Sequence, residues 1–259
     1  EHADLPLATH AISSSAFFKP IISFAFSLQS HQVLEVGLPR NDILVGKCLS
    51  SALTHVGLAT ENYCFWLPTY RQGTIGYQHL DGTKETNVFN LPDIDIQALN
   101  DAFLEQGVTA IIKPHPMASK SLRTGNVIEM SHIKFISDEW LLNHNTSLYE
   151  LLAGSSFLIT DISSVLIDYL LTDRPIICHF PDQKSYIGSR GLTWNFNPGD
   201  FNIPVVSTQN ELIGALSQSA LQNPKLSAFK ELAHSTHRDF TRSLLLQVGL
   251  INQEGLDNA

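Results

Sequence analysis

Apolar residues along the chain alternate between two periods. The runs Tyr63 to Leu67, Val108 to Ile112, Phe157 to Ile159 and Ile176 to Phe180 are continuous and rich in aromatic and β-branched residues, as in strands buried on both faces. Between them the spacing lengthens to three and four. It does so over Ile96 to Gln106, which stops at Gly107, and again at Val165, Leu166, Tyr169 and Leu170, as in helices laid on a sheet. The same reading predicts a helix over residues 12–30, a strand over Val33 to Val36, and a helix over Ile43 to Val56 capped by Asn41 or Asp42. Further strands are expected at Val127 to Met130, Ile133 to Ile136 and Ile203 to Val206, with helices over Ser147 to Ala153, 208–221 and 225–247. Residues 69–93 and the stretch after Phe180 through residue 202 read as polar loops. The alternation implies an α/β fold, a Rossmann-like parallel sheet with helices on both faces. Sites in such sheets lie beyond the carboxyl ends of the strands. Thr69, His115 and Asp161 each follow a predicted strand directly, so they are expected to converge on one crevice.

Composition narrows the function classes. At 259 residues, 43% of them hydrophobic, the chain can bury a substantial core. Phe17 to Phe26 is the longest candidate for membrane contact, but Lys19 and Pro20 interrupt it and it is too short to span. It reads as an amphipathic packing helix, with peripheral membrane contact the lesser reading. No charged segment followed by an apolar one opens the chain, which predicts a cytoplasmic location, with contact at the inner face of the cell membrane left open. Cys48, Cys64 and Cys178 are far apart and read as thiols in a reducing compartment. A formal charge of −9 argues against a nucleic-acid partner. No His/Asp pair has metal-ligand spacing, so no metal site and no intrinsic cofactor are expected. An anionic ligand would need a local cluster, which Arg40, Arg71, Lys113, His115 and Arg190 supply.

The chemistry concentrates at Thr160-Asp161-Ile162-Ser163-Ser164, where strand spacing changes to helix spacing. The first N–H groups of a helix lack partners and carry positive potential, which suits a phosphate or pyrophosphate. Serine after a strand most often caps the helix, a job compatible with phosphate binding because both use the same N–H groups. A carboxylate would repel a pyrophosphate, so Asp161 is expected to fix the turn or to receive a ribose or acceptor hydroxyl. His115 lies between Pro114 and Pro116, beside Lys113, with a pKa range suited to proton transfer or phosphate contact. Arg190 before Gly191 has the form of a phosphate clamp. Three positions stay open. Arg40 either touches ligand or serves a linking turn, Glu150 either holds a ribose or lines a solvated helix face, and Asp168 is expected to bond a neighbouring strand or loop.

These residues also carry a family resemblance. Thr160-Asp161-Ile162-Ser163-Ser164, Asp168-Tyr169, Arg174-Pro175-Ile176, Asp182, Tyr186 and Arg190-Gly191 follow one another in an order that resembles the CDP-glycerol glycerophosphotransferases that build teichoic acids and capsule polymers. Three upstream matches appear in the expected order: Gly37 to Asp42, Pro68-Thr69-Tyr70-Arg71 and Lys113-Pro114-His115-Pro116. Ile162 and Leu192-Thr193 stand where the family usually has aromatic residues.

The resemblance implies the C-terminal, nucleotide-donor half of a GT-B fold. Residues 1–36 would be the tail of the acceptor-side half and a linker, and residues 37–259 the donor domain. It implies transfer of a polyol phosphate, glycerol phosphate foremost, from a CDP-activated donor to a hydroxyl of a growing anionic polymer or glycan, releasing CMP. His115 would be catalytic. Lys113, Thr69, Arg71, Thr160, Asp161, Ser163, Ser164, Arg190 and Gly191 would bind the donor. The family's acceptor-side histidine lies in an H-G motif. No such dipeptide occurs here, so an N-terminal acceptor half is the implied partner. The alternatives are a GT-B glycosyltransferase using a nucleotide sugar and a non-catalytic module that binds nucleotide or polymer.

Overall fold

The computed structural model describes residues 9–46, 54, 62–69, 88–89, 91, 94–114, 130–190, 192, 196–217 and 225–252; side chains 185, 189 and 190 are also outside the description. The predictions for Cys48, residues 47–53 and 55–61, most of 69–93 and Val127 to Glu129 therefore fall outside the described residues.

The chain opens with β1 (Ala11–Ser13), α1 (Phe18–Ala25) and β2 (Val33–Glu35), the two strands pairing in parallel with Ala11 opposite Val33. The helix expected over residues 12–30 is thus shorter. Its first residues are a strand, and Ser15 then starts the helix by accepting from the Phe18 and Lys19 N–H groups through its hydroxyl and carbonyl. Ser27, at φ 53°, closes it. Serine side chains compete for local backbone groups, and Ser13 donates to the Ser15 carbonyl in the same turn.

After β2 comes α2 (Asn41–Val45), whose N-cap is Arg40 with no side-chain cap; Gly46 ends it in extended backbone. The expected caps Asn41 and Asp42 are drawn instead into bonds with residues far along the chain, Asp168 and Phe240.

The main sheet contains β3 (Tyr63–Leu67), β4 (Thr109–Ile112), β5 (Ile133–Phe135), β6 (Leu158–Thr160), β7 (Ile176–His179) and β8 (Val205–Val206). The spatial order is β5-β4-β3-β6-β7-β8, with every pairing parallel. Counted from β3, this is the doubly wound order 3-2-1-4-5-6, which reverses direction between its first and fourth strands.

Side-chain alternation along β3 shows why helices cover both faces. Tyr63, Phe65 and Leu67 belong to one core, with Leu151 and Leu152 of α5 (Leu148–Gly154), Val165 and Leu166 of α6 (Ser164–Tyr169), and Phe229 of α9 (Leu226–Ala233). Cys64 and Trp66 belong to the other, with Leu99 and Phe103 of α3 (Ile96–Glu105) and Leu212 of α8 (Gln209–Ala215). Each such side chain removed from water contributes about 1.5–3 kcal/mol.

Local signals place the helix ends. Asp95 caps α3 through the Gln97 and Ala98 N–H groups, and Gly107 ends it at φ 62°. Ser147 and Glu150 form a reciprocal capping box on α5, as Thr208 and Glu211 do on α8.

Three further differences from the periodicity reading appear. Helix α4 (Asp138–Asn143) is absent from that reading, although Ser137 caps it and Asp138 and Glu139 fill its first turn. Its six residues are too short for a periodic signal. Helix α7 (Gln183–Arg190) occupies part of the expected loop. The expected 225–247 helix is two, α9 and α10 (Phe240–Gln247), with His234 extended and Asp239 at φ 57° between them. The break exists because the intervening segment bonds back to the β1–β2 unit: Ser235 N donates to Ser14 O at 2.9 Å and Ser235 Oγ to Glu35 Oε1 at 2.5 Å. Among the described residues, no helix is long and apolar enough to cross a membrane.

Candidate functional site

The reversal of strand order lies between β3 and β6, so the turns that follow Leu67 and Thr160 face each other there. Two threonines bridge them. The Thr160 hydroxyl donates to Leu67 O at 2.8 Å, and the Thr69 hydroxyl donates to Asp161 Oδ2 at 2.5 Å. Thr69 N donates to the same carboxylate oxygen at 3.3 Å. Thr160 and Asp161 are buried. Thr69 and Asp161 thus meet at the crevice, and the Thr160 hydroxyl is spent on the sheet.

Beyond Asp161 the chain turns into α6. Ser163 is its N-cap, with the hydroxyl accepting from Val165 N at 3.5 Å, and Ser164 is its exposed first residue. These groups stand beside Asp161 at the mouth of the crevice. The capping predicted for a serine here coexists with an exposed serine one residue on.

Lys113 follows β4, and its N–H donates to Trp66 O at 3.2 Å. Its largely buried ammonium pairs with Asp138 Oδ1 at 2.8 Å. Asp138 opens α4 after β5, and β5 lies on the side of β4 away from β3. The ammonium is therefore drawn toward the sheet edge, away from the reversal point. Periodicity gives no reason to expect Asp138 in this pair.

Arg190 is the last residue of α7, and only its backbone lies within the described residues. Tyr186 on the same helix packs edge-on against Phe180 with ring centroids 5.5 Å apart. His115, Arg71 and Gly191 lie outside the described residues. Glu150 closes the α5 capping box, accepting from Ser147 N at 2.7 Å and the Thr146 hydroxyl at 3.2 Å.

Arg40 and Asp168 meet each other away from the crevice. Arg40 donates through Nε at 3.0 Å and Nη2 at 2.7 Å to Asp168 Oδ2, and the Tyr149 hydroxyl donates to the same oxygen at 2.5 Å. Asn41 Nδ2 donates to Oδ1 at 3.1 Å. Burial lowers the Arg40 pKa, but the charge of Asp168 and the Tyr149 phenol more than offset it and leave the pKa raised. Burial and then the Asp168 charge push the Tyr149 phenol upward, so it stays a neutral donor. Tyr149 carries no motif signal. Asn41 carries one only as part of the Gly37 to Asp42 match.

Comparison with known proteins gives the lineage of this arrangement. The family model described as CDP-Glycerol:Poly(glycerophosphate) glycerophosphotransferase matches residues 2–239. A teichoic acid ribitol-phosphate primase of Bacillus spizizenii is 27% identical over 239 residues, covering 89% of this chain and 56% of the relative. A teichoic acid poly(glycerol phosphate) polymerase of Staphylococcus epidermidis is 28% identical over 198 residues, covering 72% of this chain and 25% of the relative. Among solved structures, the wall teichoic acid polymerase TagF superposes with a TM-score of 0.70 at 23% identity, covering 96% of this chain and 59% of that one. A TagF variant soaked with CDPG superposes with a TM-score of 0.72 at 21% identity, covering 96% and 58%. These superpositions show the fold. The chain spans about half the length of TagF and of the primase, and less of the polymerase.

Proposed function

Because this chain belongs to the CDP-Glycerol:Poly(glycerophosphate) glycerophosphotransferase family, we propose that it is the nucleotide-donor half of an enzyme that transfers a polyol phosphate, glycerol phosphate foremost, from a CDP-activated donor to a growing cell-surface polymer. A terminal hydroxyl oxygen of the acceptor attacks the β-phosphorus of the donor. The bond from that phosphorus to the bridging oxygen breaks, CMP leaves with the oxygen, and the hydroxyl proton passes to a base. In this reading the base belongs to an acceptor-side half, and the division falls near residues 36 and 37. The enzyme would work in the cytoplasm or at the inner face of the cell membrane.

The observation that carries the reading is the bridged crevice at the strand-order reversal, where doubly wound sheets hold nucleotides. Phosphoryl transfer calls for alignment and charge stabilisation more than covalent help. The Ser163-Ser164 turn, with Arg190, is suited to the diphosphate. Thr69 and the carboxylate of Asp161 are suited to hydroxyl groups, because a carboxylate repels phosphate. His115 is placed by sequence to protonate the departing CMP or to hydrogen-bond its phosphates. The Lys113 ammonium, paired with Asp138, would have to exchange that partner for a donor phosphate to join the set. Arg71 and Gly191 complete the donor set.

Calorimetric titration of the chain with CDP-glycerol, CDP-ribitol, CMP, UDP-glucose and GDP-mannose tests the proposal. Selective binding of a cytidine ligand, lost in Arg190→Ala, is expected. Preference for a uridine or guanosine ligand would reassign the protein to nucleotide-sugar chemistry. Robust polymer synthesis by these 259 residues alone would refute the claim that an acceptor half is needed.

A further inference from the structure

The polypeptide passes twice between the small β1–β2 unit and the six-stranded sheet, and both passages are tied to one turn of α6. The first follows β2 through Gly37 to Arg40. The second runs from His234 to Asp239 and leads into α10. Arg40 and Asn41, at the end of the first passage, bond both oxygens of Asp168. His234, at the start of the second, bonds Ile167 O through Nε2 at 2.8 Å. The passages are also linked to each other: Asp42 accepts from Phe240 N and Thr241 N, each at 2.8 Å. Tyr149 adds α5 to the same carboxylate of Asp168.

Asp168 is 1% exposed and accepts four hydrogen bonds from three residues. A buried carboxylate so fully paired fixes its partners' positions closely, and losing one partner is costly. It also lies on the helix whose first residues face the crevice. Asp168 comes five residues after Ser163, about 7.5 Å along the axis at roughly 1.5 Å per residue. Elsewhere the β1–β2 unit meets the sheet domain through Ser235, bonded to Ser14 and Glu35, and through Phe18 of α1, half-buried against the sheet-domain core.

We propose that Asp168 is a positioning residue that sets the angle between the β1–β2 unit and the six-stranded domain, acting as a latch on both chain passages. It touches no reacting atom in this role. Arg40 and Tyr149 are the latch's adjustable members, since the Arg40 side chain is 44% exposed and Tyr149 is only half-buried. The purpose of such a latch rests on the crevice being the donor site: the angle would decide how a donor held there meets whatever the other side of the enzyme presents.

The test uses the full chain without ligand, so its failure is separate from any failure of the donor reading, which calorimetry addresses. Spin labels are placed at Phe24→Cys and Leu142→Cys, at positions 90% and 79% exposed on the small unit and on the sheet domain. Cys48→Ser removes the thiol outside the described residues, while Cys64 and Cys178 are buried. The distance distribution in the parent should be single and narrow. Arg40→Gln and Asp168→Asn should broaden it about twofold or add a second population, as expected of a freed hinge. Arg40→Lys, which keeps the charge but not the fork, should recover part of the narrowing. Lys230→Gln, which breaks the nearby Lys230–Asp173 pair without touching either passage, should leave the distribution unchanged. A purely structural Asp168 would lower thermal stability and leave the distances alone. If Asp168→Asn does not fold, Arg40→Gln and Tyr149→Phe carry the test. An unchanged distribution in folded Arg40→Gln and Tyr149→Phe overturns the proposal.

Discussion

The Thr69 hydroxyl donates to the Asp161 carboxylate at 2.5 Å across the point where the strand order reverses, joining residues 92 apart in sequence. The same oxygen receives the Thr69 N–H, so the turns after β3 and β6 are held as one wall of the crevice. A bond to a charged acceptor of this kind is worth about 1.5–3 kcal/mol.

Thr69→Val keeps the side-chain volume and removes the hydroxyl. It should lower unfolding free energy by about 1–3 kcal/mol and weaken CDP-glycerol binding by about tenfold, or 1.4 kcal/mol. Thr69→Ser should retain most of both. Urea unfolding and calorimetry on the two variants decide; equal affinity in Thr69→Val would remove this pair from the donor site.

Gly37 sits at φ 75°, and a Cβ there would lie 2.3 Å from Phe240 Cδ1. Both the backbone conformation and the contact exclude a side chain. Gly37→Ala should cost about 1–3 kcal/mol. Adding Phe240→Leu should return part of that loss by relieving the contact while leaving the φ penalty. A double-mutant cycle by denaturant titration measures the coupling, and additive losses would place the whole cost in the backbone.

Asp42 stands in for the missing cap of α10, whose own N-cap residue, Asp239, makes no side-chain cap bond. Asp42→Ala should cost about 0.5–2 kcal/mol. In hydrogen exchange, the first turn of α10 should open while the amides of β4 stay protected. Unchanged protection at Phe240 and Thr241 would count against this cap.

His234 is buried, and burial holds its pKa below the ordinary 6.5 against the opposing pull of the Ile167 carbonyl and Asp168. Nε2 donates to that carbonyl, and the lowered pKa favours the neutral ring. The unfolded chain binds the proton more readily, so the contribution of His234 is complete above pH 6.5. It declines as the pH falls from there through the folded value. Unfolding free energy measured across this window should drop with acid, and His234→Gln, which preserves a donor at the same place, should flatten that part of the profile. An identical slope in the variant would assign the acid sensitivity to other groups.

Individual elements differ in how far they could be read before folding. The apolar run gives β3 the same bounds as the structure, Tyr63–Leu67, because every residue in it is buried and the run is uninterrupted. Helices α3 and α5 are legible from their periodicity, and α3 also from Gly107 at its end. Helix α4 is not, although Ser137-Asp138-Glu139 is a good N-terminal signal, because six residues give fewer than two turns of period. The break at His234 falls in a polar run, His234 to Asp239, flanked by helix-spaced apolar residues on both sides; what interrupts the helix is a set of bonds to Ser14, Glu35 and Ile167.

The same division holds for the site and the hinge. The α/β class, the family motifs and the turn Thr160 to Ser164 at the end of a strand are written in the chain itself, because strand period, helix period and capping depend on residues within a few positions of one another. Only folding brings Thr69 to Asp161, turns Lys113 to Asp138, and commits Arg40 and Asn41 to Asp168 rather than to the crevice. Arg40 and Asp168 are 128 residues apart. Many carboxylates could satisfy a guanidinium equally well on chemical grounds, and only the packing of α2, α5 and α6 around a shared core selects this one.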